Sequence, residues 1–225
     1  MNSQANIQEI FFKYLQKFDF KIEFLDYSKI DTHTTTLQYL SNIGNSGTGI
    51  FDLHKKEMIF YSSNFGNLLG YELADYQDIG QMFFADKIHP DDALKCSTNG
   101  VTILKLLSNF SNDEKLNHKL ISEYRMKNSQ GKYVRLIEQY QVLELDPEGQ
   151  IWLMFNIVDI SPNQSETEES KSKLLNYKTG QIIPMEEFPK IQFELTNREI
   201  EILKLSCPEI GLHKTSVKWD IQFII

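Results

Sequence analysis

The spacing of apolar and polar residues divides the chain into helical and strand-like stretches. Near the start, apolar residues recur every three or four positions, which predicts a single apolar stripe along a helix. The stripe comprises Ile7, Ile10, Phe11, Tyr14, Leu15 and Phe18. Such a stripe can pack on its own domain or dimerise with a second copy, and the sequence favours neither alternative. We therefore treat these residues as a candidate dimerisation surface.

Strand-like patterns follow in two groups, with helical patterns between them. The first group is a hairpin, in which TGIFDL and EMIFYS flank a polar turn. Short helices come next, and then a longer helix that begins at IHPDD. Between His118 and Ile160, three strand-like runs are separated by the turn sequences NSQG and DPEG. Because strands and helices segregate along the chain, the pattern predicts an α+β fold, with an antiparallel sheet and helices on one face.

Changes in composition divide the chain into four regions. Residues 1–44 are predicted to form a helical N-terminal extension, and residues 45–162 the α+β domain. Residues 163–190 are predicted to be a linker, because the stretch SPNQSETEESKSK is polar, acidic and poor in apolar residues. Residues 191–225 form a separate C-terminal segment with a partial helical pattern.

The overall composition indicates a globular protein with an acidic surface. Hydrophobic residues make up 41%, charged residues 24%, and the formal net charge is −8. This charge argues against nucleic acids or anionic membranes as the main partner. No apolar run reaches the roughly 18–20 residues that span a bilayer, and the first residues lack the pattern of a signal peptide. We therefore expect a soluble cytoplasmic protein.

Residues 45–162 resemble a PAS domain in element order and in local sequence. The resemblance rests on GIFDLHKKEMIFYSSNFGNLLGY, on FFADKIHPDDALK and on EYRMKNSQGKYVRLIEQYQVLELDPEGQIWLMFNIVDIS. One departure is GKYVRLIE, because many relatives carry a tryptophan shortly after this glycine. The resemblance implies a PAS fold, with a five-stranded antiparallel sheet curved around short helices. It also implies a central pocket that senses small molecules or redox state, dimerisation, and signal transfer to an output module.

The implied pocket lies between the helices and the sheet. Its candidate lining residues are apolar, and each can also simply fill the core: Phe60, Leu69, Met82, Phe83, Leu104 and Met154. The cofactor stays unknown, because the cysteine motif of flavin-photoadduct PAS domains is missing and the helix from Asp91 to Leu107 holds no haem-ligating histidine. Simple capping explains His89, Asp91 and Asp92 better than a metal site does. No catalytic motif is recognisable, so we expect no enzymatic activity.

The C-terminal segment begins like a DNA-binding domain but does not continue as one. The stretch FELTNREIEILKL resembles the first helix of the LuxR-type helix-turn-helix domain. Thr196 and Glu199 form a capping box, and Ile200 and Leu203 belong to the buried side. The remaining SCPEIGLHKTSVKWDIQFII lacks the basic excess that phosphate contacts need, and the segment has about half the length of four helices. A shifted reading frame, a truncation and a native tail all stay open as explanations.

Together these patterns predict the cytoplasmic PAS sensory domain of a LuxR-family DNA-binding transcriptional regulator, with an output domain that is incomplete in this chain. The sensed signal is an unknown small molecule. Intact relatives would bind DNA as homodimers, whereas we do not expect this chain to bind DNA. The alternative is a stand-alone PAS module that acts through protein–protein interaction and dimerisation.

Overall fold

The computed structural model describes residues 11–76, 79, 81–165, 167–187, 211–215 and 218–222. The helices in this part of the chain are α1 (Lys29–Gly44), α2 (Ser63–Asn67), α3 (Leu73–Tyr76), α4 (Gln81–Ala85), α5 (Pro90–Ser108) and α6 (Asn112–Asn117). Residues 11–15 are also helical. None of the helices in these ranges is long and apolar enough to cross a membrane.

The strands of the described residues form one large sheet and a separate pair. They are β1 (Gly47–Asp52), β2 (Glu57–Tyr61), β3 (His118–Lys127), β4 (Tyr133–Leu145), β5 (Ile151–Ile160), β6 (Lys171–Asn176), β7 (Ile182–Pro184), β8 (Gly211–Thr215) and β9 (Lys218–Gln222). The large sheet has the order β2-β1-β5-β4-β3-β6-β7. All of its neighbouring strands are antiparallel, and so are β8 and β9.

The large sheet has seven strands, so the prediction of five was wrong. The predicted strands are β1 to β5, and β6 and β7 extend the sheet beyond β3. In β6, Ser172 and Leu174 are buried while Lys171 and Lys173 are exposed. This alternation is short and was hidden in a stretch that is polar overall. Strand β6 pairs the backbone groups that would otherwise be open at the edge of β3. Both added strands lie in residues 163–190, and the domain boundaries themselves stay a prediction.

Helices cover both faces of the sheet, because α1 and α2 lie on opposite sides of β1. Neighbouring residues of a strand point to opposite faces. A Cβ on Gly47 would lie 2.8 Å from the Cα of Phe65, so Gly47 faces α2. Thr48 faces α1, where its hydroxyl donates to the Leu37 carbonyl oxygen at 3.2 Å. We call the side of Gly47 the inner face and the side of Thr48 the outer face.

The short helices α2, α3 and α4 lie on the inner face, as predicted for the helical layer. Phe65, Tyr76 and Phe84, from α2, α3 and α4, share a hydrophobic cluster with Leu136 of β4 and Val158 of β5. Helix α1, which belongs to the predicted N-terminal extension, takes the outer face instead. The sheet is therefore covered on both sides.

The N-terminal residues that the structure describes pack on their own domain. Leu15 is completely buried and shares a hydrophobic cluster with Leu104 of α5. The centroid of the Phe11 ring lies 6.0 Å from that of Phe51 in β1. The same ring lies 3.3 Å from the place where a Cβ on Gly100 of α5 would stand. The segment is thus wedged between β1 and α5.

In its described part, the candidate dimerisation stripe therefore contributes to packing within the chain. Tyr14 and Phe18 are partly buried against the same cluster as Leu15. Ile7 and Ile10 lie outside the described residues. Dimerisation through this stripe stays a prediction.

A buried arginine holds the chain segment between β5 and β6. Arg135 of β4 is only 2% exposed. Its guanidinium donates to the carbonyl oxygen of Ser165 at 3.1 and 3.2 Å and to that of Glu169 at 3.4 Å. It also donates to the carbonyl oxygen of Glu168. Because these carbonyls take the place of water around the charge, this polar stretch is fixed against the sheet.

In the C-terminal segment, the structure describes only β8 and β9. Their register places Leu212 opposite Ile221. The residues predicted for the first helix of a DNA-binding domain lie outside the described residues: Thr196, Glu199, Ile200 and Leu203. That helix therefore stays a prediction, while residues 211–215 and 218–222 are strands and do not continue a helical domain.

Candidate functional site

A glutamate lies on the inner face of the sheet, where apolar residues are expected. Glu138 of β4 pairs with Val158 of β5, which in turn pairs with Gly47 of β1. Since Gly47 faces α2, Glu138 also points inward. Glu138 is 8% exposed. Burying an ionisable group costs free energy unless its surroundings compensate, so this position is the first candidate for function.

Polar side chains of the neighbouring strands hold the Glu138 carboxyl group. The hydroxyl of Tyr124 donates to Oε2 at 2.8 Å, and Nδ2 of Asn156 donates to Oε1 at 2.6 Å. Both are diagonal neighbours of Glu138, because Tyr124 pairs with Leu136 and Asn156 with Tyr140. Glu138 forms no ion pair within the described residues. Its hydrogen-bond donors are therefore neutral.

Burial raises the pKa of Glu138. Hydrogen bonds from Asn156, Tyr124 and Tyr140 lower this pKa and offset part of the rise. The pKa of Tyr124 is raised well above its usual value, first by burial and then by the Glu138 charge. The pKa of the Cys96 thiol in α5 is raised by burial and, next, by Glu138. A carboxyl group in such surroundings responds strongly to any hydrogen-bond donor or cation placed beside it.

A buried acceptor next to Glu138 has no partner among the described residues. Asn156 is 1% exposed, and its Oδ1 accepts no hydrogen bond there. Glycine at position 49 makes room for this amide, because a Cβ would lie 2.7 Å from Asn156 Oδ1 and 2.4 Å from Met58 Cε. Nδ2 of Asn99 in α5 likewise lacks a partner among the described residues. An unsatisfied buried group costs about 1–3 kcal/mol, so Oδ1 of Asn156 marks a place where a ligand could donate a hydrogen bond.

Aromatic rings from β2 and the short helices pack beside this polar group. The ring centroids of Tyr61 and Phe65 are 4.7 Å apart, those of Phe65 and Phe84 4.8 Å, and those of Tyr76 and Phe84 4.9 Å. The Glu138 charge reaches this cluster, since after burial it is the next cause of the raised pKa of Tyr61. A few polar groups beside an aromatic wall are typical of small-molecule sites.

The structure distributes the predicted pocket residues over several places. Five of them lie in or against the two hydrophobic clusters of the core: Phe60, Leu69, Phe83, Leu104 and Met154. Phe60 pairs with Ile50 and lines an outer-face cleft beside Gln38 of α1. A register shift in β1 between Ile50 and Phe51 disturbs the alternation that would otherwise reveal the face of Phe60. The side chain of Met82 lies outside the described residues.

The acidic start of α5 combines a helix cap with a tie to the sheet. His89 is the N-cap residue, and its Nδ1 accepts from the backbone N–H of Asp91 at 3.2 Å. Asp92 accepts from the backbone N, Nε and Nη2 of Arg125, each at 2.9 Å. Burial alone would raise the pKa of Asp92, but the hydrogen bonds and charge of Arg125 hold it below its usual range. Among the described residues, no group of three or more metal-ligating side chains is found.

Sequence reasoning missed Glu138 and Asn156 as a pair. In RLIEQYQVL, polar residues occupy both parities, so the alternation does not tell which side faces inward. Asn156 gave the clearer signal, because it interrupts the otherwise apolar run IWLMFNIV. A lone amide inside a buried strand needs a partner, and that partner is a carboxyl group on the neighbouring strand.

Residues 58–158 match the family model described as PAS fold. The match runs from β2 into β5 and includes both Glu138 and Asn156. This region is therefore a PAS domain, and the expectation from the resemblance is confirmed for it. None of the curated proteins compared with the chain matches it.

Solved structures that are similar to this chain include several sensory proteins. One is a sensory box histidine kinase/response regulator from Burkholderia thailandensis, with 19% identity and a TM-score of 0.41 over 55% of this chain and 82% of that one. Another is the N-terminal domain of a diguanylate cyclase with PAS/PAC sensor from Marinobacter aquaeolei, with 14% identity and a TM-score of 0.36 over 51% and 94%. A third is the VqmA dimer of Vibrio cholerae, described as a LuxR-type receptor, with 14% identity and a TM-score of 0.36 over 62% and 54%. All three TM-scores lie below 0.5.

Proposed function

We propose that the PAS domain of this chain is a sensory domain that binds a small polar molecule on its inner face, next to Glu138. The observation that carries the proposal is a buried carboxyl group that has only neutral donors around it, Tyr124, Asn156 and Tyr140. In a core that served packing alone, apolar residues of similar volume would be at least as stable. Ionisable groups with pKa values perturbed by burial cluster at functional sites.

The chemistry of the site points to a ligand that donates hydrogen bonds. Glu138 and Oδ1 of Asn156 are both acceptors, and the latter has no donor among the described residues. An amine, an amide or a heterocycle with N–H groups can donate to both. Its apolar part would lie against the aromatic cluster of Tyr61 and Phe84. A carboxylate or phosphate on this ligand would be repelled by Glu138.

Native mass spectrometry of the full chain, followed by identification of the released small molecule, tests this proposal. The informative variant is Glu138→Gln, which keeps the volume of the side chain and removes its charge. The matched control is Glu144→Gln on the same strand, where the carboxylate pairs with Lys29 at 2.8 Å and with His33 at 3.0 Å. We expect ligand affinity to fall at least about tenfold in E138Q, because a charge-assisted hydrogen bond is lost, and to stay unchanged in E144Q.

Two results would contradict the proposal. One is a ligand that E138Q and E144Q retain equally well. The other is a purified chain without any bound molecule that also shows no thermal shift with a panel of N–H donor heterocycles and amines.

We further propose that this domain is the sensory part of a LuxR-type transcriptional regulator of the cytoplasm, which acts as a homodimer and catalyses no reaction. The support is the segment FELTNREIEILKL, with its capping box of Thr196 and Glu199. We do not expect this chain itself to bind DNA, because β8 and β9 stand where a recognition helix would follow.

An electrophoretic shift assay with genomic fragments and light scattering of the purified chain test this second step. We expect a dimer and no specific shift, whereas a chimaera with a complete helix-turn-helix domain should shift its operator. Specific binding by the present chain would contradict the expectation that it does not bind DNA, and a monomer would contradict the dimer.

The alternative is a stand-alone PAS module that acts through protein–protein interaction. The β8–β9 hairpin favours it, since this pair is an ordinary antiparallel unit and no part of a helix-turn-helix. A chimaera that binds no operator under any condition, while the chain captures a partner that depends on β8 and β9, would favour this alternative.

A further inference from the structure

A cleft lies between the N-terminal segment, the end of α5 and the turn that joins β4 to β5. Its volume is about 340 Å³, and its lining includes Tyr14, Phe18, Ser108 and Gln150. Small-molecule sites typically have roughly 300–1,000 Å³, so the cleft can hold a compact ligand. Its lining contains neither Glu138 nor the donors around that residue. The cleft is therefore separate from the inner-face site.

Two lysines share one tyrosine ring beside this cleft. Nζ of Lys17 lies 5.7 Å from the centroid of the Tyr14 ring, and Nζ of Lys105 lies 5.5 Å from it. Burial and then the Lys17 ammonium lower the pKa of Lys105, which indicates that the two charges repel each other. Neither lysine forms an ion pair with a carboxylate of the described residues. An anion near this ring would reduce the repulsion.

A third lysine in the lining is buried without a counter-charge. Lys115 is 8% exposed and lines the cleft. Its Nζ donates to the carbonyl oxygen of Gly149 at 2.7 Å and to Oδ1 of Asn112 at 3.5 Å. Both acceptors are neutral, and an ammonium group carries three N–H donors. A desolvated cation gains stability when an anion completes its surroundings.

Glu148 is the acidic residue of the cleft lining, and its charge is already compensated. Its carboxylate pairs with Lys21. Lys17 and Lys115 of the lining, with Lys105 over the ring of the lining residue Tyr14, therefore leave an excess of positive charge here, in a chain whose formal net charge is −8. Local charge of one sign at a concave surface attracts ligands of the opposite sign.

We propose that this cleft binds a small anion, whose phosphate or carboxylate group is held by the ammonium groups of Lys17, Lys105 and Lys115. An organic part of the ligand would pack on Phe18. This site does not depend on the proposed sensory function, and its ligand class is opposite to the hydrogen-bond donors that suit Glu138.

Titration of the full chain, monitored by the NMR signals of the Gly149 and Gln150 backbone amides, tests the proposal. The probes are inorganic phosphate, phenyl phosphate, benzoate and the neutral benzamide. We expect saturable shifts with the anions, no shift with benzamide, and weaker binding at high ionic strength. If inorganic phosphate binds as well as phenyl phosphate, the ligand is free phosphate. If phenyl phosphate or benzoate binds more tightly, the ligand is an organic anion.

Variants show whether the lysines are responsible. Lys17→Gln should weaken anion binding roughly fivefold, as expected for one partly screened charge, and Lys115→Met should weaken it further. The matched control is Lys55→Gln, because Nζ of Lys55 also lies over a tyrosine ring, that of Tyr27, at 4.9 Å. Lys55 does not line the cleft, so this variant should bind like the wild type.

Any of three results would overturn the proposal: equal anion binding by the wild type and the Lys17 variant, equal binding of benzamide and benzoate, or no shift of these amides with any anion. If circular dichroism shows that the Lys115 variant does not fold, the exposed Lys17 decides alone.

Discussion

The start of α5 and the inner face of the sheet each bury a carboxyl group, but the surroundings shift the pKa of the two groups in opposite directions. Asp92 is 1% exposed and Glu138 is 8% exposed. Arg125 donates three hydrogen bonds to Asp92 and brings a positive charge, which holds the pKa of Asp92 below its usual range against the effect of burial. Burial raises the pKa of Glu138, which has only neutral donors. The comparison separates a carboxylate that fastens a helix to a strand through a cation from one that only neutral groups hold.

Removing the charge of Asp92 should have the largest effect on this comparison. In Asp92→Asn, the guanidinium of Arg125, whose side chain is 14% exposed, loses its carboxylate. We expect a loss of about 3 kcal/mol in the free energy of unfolding, measured by urea denaturation at neutral pH. Asp91→Asn is the control, because the Asp91 carboxylate lies 3.8 Å from Nη2 of the same arginine but its side chain is 77% exposed. This variant should change the free energy by less than about 0.5 kcal/mol. Equal losses in the two variants would show that the buried pair of Arg125 with Asp92 stabilises the fold no more than its exposed contact with Asp91.

Crowding the inner face should have the next largest effect. In Gly49→Ala, the new methyl group would stand 2.4 Å from Met58 Cε and 2.7 Å from Asn156 Oδ1. We expect a loss of about 2 kcal/mol in the free energy of unfolding and a displaced Asn156. Gly44→Ala is the control, because the nearest atom to its Cβ is Ser46 Oγ at 3.3 Å. It should stay within about 1 kcal/mol of the wild type. An unchanged free energy of unfolding in Gly49→Ala would mean that the Asn156 side chain has room to move away from the new methyl group.

Removing the charge of Glu138 should change stability in the other direction. In Glu138→Gln, the buried charge disappears while an amide still fills the space. We expect the free energy of unfolding at neutral pH to stay constant or to rise by up to about 1 kcal/mol, measured like that of Asp92→Asn. A loss above about 2 kcal/mol would place Glu138 among purely structural carboxylates.

The smallest and sharpest test is the pH dependence, which should have opposite signs at the two carboxyl groups. The folded-state pKa of Asp92 is lowered, so its stabilisation is complete above the unfolded-state pKa and is lost as the pH falls through the folded value. The folded-state pKa of Glu138 is raised above the ordinary 4.5. The wild type should therefore lose stability relative to E138Q as the pH rises through that raised value.

Unfolding curves of the wild type, D92N and E138Q from about pH 3 to about pH 8 measure both differences. At neutral pH, the wild type should be more stable than D92N and no more stable than E138Q. Both differences in the free energy of unfolding should shrink toward low pH. If the free energy of unfolding depended on pH in the same way in all three proteins, Asp92 and Glu138 would not differ in the direction of their pKa shifts.

The sequence was sufficient for the order of elements because each element has a strong local signal. The turns NSQG and DPEG fix the three long strands, and Pro90 with Asp91 marks the start of α5. The strands β6 and β7 escaped detection because β6 is a single short alternation inside a polar stretch. Its stability comes from pairing with β3, which is a tertiary effect that no local window contains.

The candidate site was less predictable than the fold. Apolar residues were expected to define the pocket, yet Leu104 and Met154 are ordinary members of the core. The inner face is distinguished by the hydrogen bond between Glu138 of β4 and Asn156 of β5. The register in which these two strands pair brings the two side chains together. Register depends on turn geometry and on the bulges in β4, and neither can be derived from residue types alone.

Strand β4 also links the inner face to the route by which the chain leaves the domain. The strand carries Glu138, which points inward, and also Arg135 near its start. The guanidinium of Arg135 donates hydrogen bonds to the carbonyl oxygens of Ser165 and Glu169, just before β6. A strand moves as one body, so a shift of β4 would pull these carbonyls along or break their hydrogen bonds to the arginine. If a ligand next to Glu138 shifts β4, as the proposed function implies, Arg135 would pass that movement to the chain segment that precedes β6.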